Sequence, residues 1–176
     1  MTRKPSASKL ALAASIATLL ALTGSIAGCD GPQTAPDSSA SASDAPVDAD
    51  VIVKKRKANF KDIGKANKVA KAALESTPPD FATAASAAAS IKDDAGKIVG
   101  LFPEGTGPDA NPKTEALPVI WQKNGEFKAA AAKLASAADE LKTATDAKDL
   151  AATAKAMGDI GGACKGCHEQ FRKKDK

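Results

Sequence analysis

The chain has 176 residues and a formal net charge of +4, with 43% hydrophobic residues but only 3% aromatic. That length suits one domain of ordinary size beside an N-terminal processing segment. Its lysines come without an aromatic-interleaved basic patch or a nucleic-acid motif, so nucleic acid is excluded as an expected partner.

Residues 1–28 read as an export signal rather than as part of a fold. Arg3, Lys4 and Lys9 precede an apolar run, Leu10 to Leu22, interrupted only by Ser15 and Thr18. The run is too short and too small-sided for a membrane span. Ile26-Ala27-Gly28-Cys29 follows, and this tetrapeptide resembles the bacterial lipoprotein signal, whose cysteine is acylated and becomes the mature N-terminus. The alternative is an ordinary cleaved signal with a cysteine behind it. On the lipoprotein reading the protein sits on the periplasmic side of a bacterial membrane, anchored only through lipid at Cys29.

Residues 29–50 are rich in Ser, Ala, Pro and Asp, with no Lys or Arg and no apolar periodicity. Such a stretch buries too little apolar surface to offset its ordering entropy, and reads as a solvated acidic tether. As a flexible coil its length corresponds to roughly 25 Å.

From Val51 onward apolar or small residues recur at alternating steps of three and four, and strand signals are nearly absent. The first stripe is Val53, Arg56, Phe60, Ile63, Asn67, Ala70 and Leu74. The second is Phe81, Ala84, Ala88, Ile91, Ala95, Ile98 and Phe102. Phe127, Ala131, Leu134, Ala138 and Leu141 form the third. The fourth is Leu150, Thr153, Met157, Ile160, Cys164, Cys167 and Phe171. Four such stripes predict an all-α protein, an antiparallel four-helix bundle over residues 51–176. Thr77-Pro78-Pro79 should stop the first helix, Asp80 should cap the second, and Asp146-Ala147-Lys148 should be a short turn. The longer connection from Pro103 to Pro118 must either cross from one end of the bundle to the other or build something at a site edge. Many stripe positions are alanine, which buries little area at about 25 cal/mol per Å². A large apolar cofactor between the helices would supply the missing core.

Cys164-Lys165-Gly166-Cys167-His168 names that cofactor. Two cysteines three apart followed by histidine can tether both vinyl groups of a haem and ligate its iron, the pattern of c-type haem attachment. On a helix Cys164 and His168, four apart, project from one face. Gly161, Gly162 and Gly166 flank them, and a macrocycle lying on that face would account for the missing side chains. A thioredoxin-like dithiol would need an α/β pattern. A structural zinc site would need four ligands, and the chain has only three cysteines and one histidine, with one of the cysteines in the signal region. With lipid on Cys29 and haem on the other two, no thiol is left over.

Residues 51–176 resemble cytochrome c-prime, the four-helix class II c-type cytochromes with the haem motif near the C-terminus. The matching pieces are Arg56-x-x-x-Phe60-Lys61, Phe102-Pro103-x-Gly105-Thr106-Gly107, Lys113-Thr114-Glu115-Ala116, Ile120-Trp121 and Cys164-x-x-Cys167-His168-x-x-x-Arg172. The resemblance implies one covalent haem c, with His168 as the iron ligand and Arg172 beside the same face. It implies that Arg56, a charge in an apolar stripe, pairs with a haem propionate, and that Lys57 and Glu115 lie near the haem edge. Trp121 would pack against the haem, or else be a core tryptophan at a helix start. Phe60 matches the position covering the open face of the iron, where the family's electron-carrier branch supplies a methionine. The only methionines here are Met1 and Met157, and Met157, on the helix of the haem motif, approaches from the side of His168. The iron is therefore expected to be five-coordinate.

Setting aside the three signal cations and the tether's five Asp leaves residues 51–176 at about +6, which suits docking to acidic exported redox proteins. The expected function is reversible binding of nitric oxide or carbon monoxide with the ability to exchange electrons. The alternative is a dedicated electron-transfer cytochrome in a respiratory chain. No acid–base pair is evident opposite His168, so an enzyme is not expected. Pairing of two bundles into a homodimer stays open.

Overall fold

A computed structural model describes residues 48–174 of the chain. The export signal, Cys29 and the tether as far as residue 47 lie outside the described residues. Four long helices dominate: α1 (Ala49–Glu75), α2 (Phe81–Lys97), α4 (Asn124–Asp146) and α5 (Leu150–Phe171). A single 3-10 turn (Val99–Leu101) and the short α3 (Val119–Gln122) lie between α2 and α4. Among the described residues the only β pairing is an isolated bridge between Ala116 and Arg172.

The helix starts follow local chemistry. Each of three N-terminal aspartates accepts an otherwise orphaned backbone N–H. Asp48 caps α1 through Val51 N at 3.1 Å, Asp80 caps α2 through Thr83 N at 3.0 Å, and Asp149 caps α5 through Ala152 N at 3.0 Å. Asp48 to Asp50, expected in the tether, thus belong to the start of the first helix. The chain leaves α4 through Ala147 and Lys148, and Lys148 takes a left-handed backbone (φ 56°).

The helices run antiparallel and pack in sequence order, α1 on α2, α2 on α4 and α4 on α5, while α1 and α5 do not approach as closely. The connection between α2 and α4 does not cross the bundle. It stays at one end, because Phe102 just after α2 stacks edge-on against Phe127 at the start of α4, with ring centres 4.7 Å apart. Of the two expected courses for residues 103–118, the second is observed.

The core is divided by residue size. Away from the connection it is built of alanine with Ile91, Leu134, Leu141 and Ile160, and alanine allows close helix approach. At the connection end Phe102, Phe127 and Phe171 follow one another edge to face, with Phe60 against Phe102 at 6.4 Å. Several stripe positions differ from expectation. Leu150, the first residue of α5, is 61% exposed. On α1, Asn59 and Ala73 are buried, whereas Phe60 and Leu74 are half-buried. Asn59 is tolerated inside because its amide donates to Asp94 O on α2 at 3.0 Å.

Candidate functional site

The space left between α1 and α5 is a cavity of about 390 Å³. Val53, Phe60, Ile120, Phe127 and Phe171 give it apolar walls, and Cys167 and His168 reach it from α5. Arg56, Lys57 and Lys61 enter from α1, Thr114 and Glu115 from the connection, and Arg172 from the end of α5. The structure therefore gathers seven of the expected residues around one cavity: Arg56, Lys57, Phe60, Glu115, Cys167, His168 and Arg172. Cys164 lies one turn back along α5, half-buried against the core.

The end of α5 is fastened to the connection. Leu117 N donates to Phe171 O at 3.0 Å, Lys173 N donates to Glu115 O at 2.8 Å, and Arg172 Nε donates to Glu115 Oε2 at 2.7 Å. These bonds hold the turn that carries His168 against the cavity. Partial burial pushes the His168 pKa down, the Arg172 cation adds to this, and Glu115 partly offsets it. The neutral imidazole, with a lone pair free for a metal, is favoured at neutral pH. Burial pushes both thiols up, and Cys164 adds to the rise at Cys167. The two sulfurs are not joined to each other.

Arg56 is 4% exposed, and its pKa is lowered by burial to about 10. Its Nε donates to Leu101 O at 3.0 Å and Nη2 to Thr106 Oγ1 at 2.8 Å. Nη1 donates to Thr106 O at 3.3 Å and Thr114 Oγ1 at 3.1 Å. No carboxylate among the described residues forms an ion pair with it. A buried cation with one N–H to spare and no counter-charge fits a ligand that brings an anionic group to the cavity.

Two expectations are placed elsewhere by the structure. Trp121 does not line the cavity. Its indole N–H donates to both Phe102 O and Pro103 O at 3.1 Å, and its ring lies over Gly107, where an added Cβ would meet Cζ3 at 3.2 Å. Of its two readings this placement suits the core tryptophan at a helix start, half-buried against the core in α3, and the tethering of the connection was not foreseen by either. Gly161, Gly162 and Gly166 lie on the exposed side of α5, and a Cβ on any of them would meet no atom within 4 Å. Helix packing therefore does not require these glycines, and none lines the cavity.

Sequence reasoning did not assign Lys61, Thr106 or Thr114 to the site. All three stand in the matching blocks, which was the available signal. The partnership of Thr106 with Arg56 depends on the course of an irregular loop and leaves no periodic trace.

The residues fit a c-type haem: thiols for covalent attachment, an imidazole for iron, apolar walls for the macrocycle and a cation for its carboxylates. Comparison with known proteins agrees. The family model for cytochrome C' matches residues 51–172. Cytochrome c' of Pararhodospirillum photometricum is 42% identical over 123 residues, covering 70% of this chain and 97% of that protein. The crystal structure of cytochrome c' from Rubrivivax gelatinosus aligns with a TM-score of 0.62 at 34% identity, covering 69% of this chain and 94% of that one. A nitric oxide complex of a mutant cytochrome c prime from Alcaligenes xylosoxidans aligns with a TM-score of 0.60 at 27% identity, covering 72% and 97%. On these matches and this site, the chain belongs to the cytochrome c' family, whose members carry one covalently bound c-type haem.

Proposed function

We propose that this protein is a lipid-anchored periplasmic cytochrome that binds nitric oxide or carbon monoxide at a five-coordinate haem. Cys164 and Cys167 would bond the haem and His168 would hold its iron. Arg56, Lys57 and Lys61 would face its carboxylates, and Phe60 would cover the side away from His168. When bound, the haem supplies an iron that takes up small diatomic ligands reversibly and can exchange an electron.

One observation carries this reading: the cavity holds Phe60 among apolar walls, and neither a methionine nor a second histidine lines it. Met157 is half-buried in α5 outside the cavity. A phenyl ring offers no hydrogen bond to bound dioxygen and excludes bulky ligands. The nitric oxide complex formed by the Alcaligenes xylosoxidans relative supports extending gas binding to this chain. Titration of the reduced holoprotein with nitric oxide tests the reading: a stoichiometric change in the haem spectrum is expected, and an unchanged spectrum would contradict it.

The location rests on the signal and on Cys29. No helix among the described residues is long and apolar enough to cross a membrane, so retention depends on the acyl chains. A Cys29→Ser variant is expected in the soluble periplasmic fraction; its recovery with membranes would contradict the anchor.

A further inference from the structure

We propose that the mouth of the cavity is a docking face for an acidic protein, formed by lysines that the bundle itself leaves unneutralised. The proposal rests on the reading of the cavity as the haem site, and adds the partner that the site meets.

Away from the cavity many lysines stand against carboxylates; Lys55, Lys128, Lys133 and Lys148 do not, and none of these four lines the cavity. Lys92 pairs with Asp139 at 2.7 Å, Lys97 with Asp94 at 2.7 Å, Lys142 with Asp146 at 2.6 Å and Lys155 with Asp159 at 2.7 Å. Around the cavity the pattern changes. Lys54, Lys57, Lys61 and Lys68 follow one another at steps of three, four and seven, which places them in one stripe along the exposed side of α1. None has an ion-pair partner among the described residues, and the stripe's other member, Lys65, pairs with Asp62. Lys57 and Lys61 also line the cavity.

Two further segments bring cations to the same rim. Lys57 Nζ donates to Lys113 O at 3.0 Å, which sets a second lysine beside the first instead of a carboxylate. Lys173 is pinned there by its backbone bond to Glu115 O. Of the rim's own acids Glu115 is paired with Arg172, whereas Asp50 accepts from the neutral Asn111 amide at 2.7 Å and keeps its charge, one carboxylate against the several lysines. Glu104 and Asp109 in the connection pair with none of these lysines.

Unpaired like charges concentrated around one opening create a local positive field that steers and orients an oppositely charged partner. The cations come from three chain segments around a concave mouth. That arrangement matches a protein presenting clustered carboxylates better than a flat anionic bilayer, which would meet the α1 stripe alone.

The test uses the holoprotein with plastocyanin, a small acidic copper protein, as the probe. Zero-length carbodiimide coupling should join it chiefly through Lys54, Lys113 and Lys173. At low ionic strength Lys54→Glu/Lys113→Glu should weaken plastocyanin binding at least tenfold. Lys133→Glu/Lys148→Glu, with the same charge change on α4 and the turn after it, should weaken it less than twofold. Equal weakening by both pairs, or cross-links scattered over the surface, would overturn the proposal. So would a mouth pair that, in the unacylated Cys29→Ser holoprotein, releases the protein from phosphatidylglycerol vesicles while leaving plastocyanin binding intact, which would assign the patch to a membrane. Intact mass and thermal melting of each variant separate the outcomes. Loss of the haem mass would sink the haem reading, whereas correct haem loading with scattered cross-links would sink the docking proposal alone.

Discussion

The guanidinium of Arg56 stands 3.8 Å from the centre of the Phe102 ring, so that one side chain of α1 both clamps the loop after α2 and roofs its aromatic residue. A desolvated cation over an aromatic face contributes about 2 kcal/mol, and four hydrogen bonds to Leu101, Thr106 and Thr114 add to it. The wall of the cavity made by residues 101–114 is therefore held by a residue of the opposite wall.

Replacing Arg56→Leu should destabilise the holoprotein by on the order of 3 kcal/mol, because the carbonyls of Leu101 and Thr106 lose their donor inside the fold. Arg56→Lys keeps the charge but not the planar fork, and should recover only part of the loss. Urea unfolding measures both. A loss below about 1 kcal/mol for the leucine variant, the size of an ordinary single hydrogen bond, would mean that the loop is held by other contacts.

Trp121→Phe separates loop tethering from haem contact. Losing the indole N–H leaves the Phe102 and Pro103 carbonyls with one donor fewer, a cost of about 1–2 kcal/mol. Stability should fall by that amount while the haem absorption spectrum stays unchanged. A shifted spectrum at unchanged stability would show that the tryptophan touches the haem instead.

Asp80 carries a pH signature. Its hydrogen bonds from the Thr83 hydroxyl and backbone N–H hold its pKa below the ordinary 3.8. A carboxylate with a depressed folded-state pKa binds fewer protons folded than unfolded, so its stabilisation is present above that ordinary value and is lost as pH falls through the folded pKa. Asp80→Ala should lower the melting temperature at pH 7, and the difference from the parent should close below pH 3.8. Asp80→Asn, which retains an accepting oxygen, should lower it less. A difference that persists unchanged into acid would contradict the cap.

Much of this arrangement was legible in the residues. The proline pair after Thr77, the aspartate at position 80 and the turn at Asp146 mark real boundaries, because caps and breakers act within one turn of chain. The Cys164–His168 motif and the charge of Arg56 in an apolar stripe pointed to the cavity, since each is costly without a cofactor or partner. The connection was not legible. Its bonds join Arg56 to a backbone carbonyl and to two threonines 50 and 58 residues away, and no local pattern encodes such distances. Trp121 was ambiguous for the same reason, and Leu150 lay on a stripe that runs past the end of the core.

Phe60 should govern access to the side of the cavity away from His168. It packs edge-on against Phe102, so it must turn aside before a ligand occupies its place. Phe60→Ala should raise the carbon monoxide association rate at least tenfold, since about 1.4 kcal/mol removed from the barrier is a factor of ten. Stopped-flow mixing measures this, and an unchanged rate would mean that entry is limited elsewhere.

The central claim, a haem held by His168 on one side with Phe60 and no protein ligand on the other, is tested most directly by the optical spectrum of the reduced protein before and after carbon monoxide. A broad high-spin ferrous spectrum that converts to that of a six-coordinate carbon monoxide adduct is expected. A sharp low-spin ferrous spectrum left unchanged by carbon monoxide would show a sixth protein ligand, and the protein would then be a dedicated electron carrier.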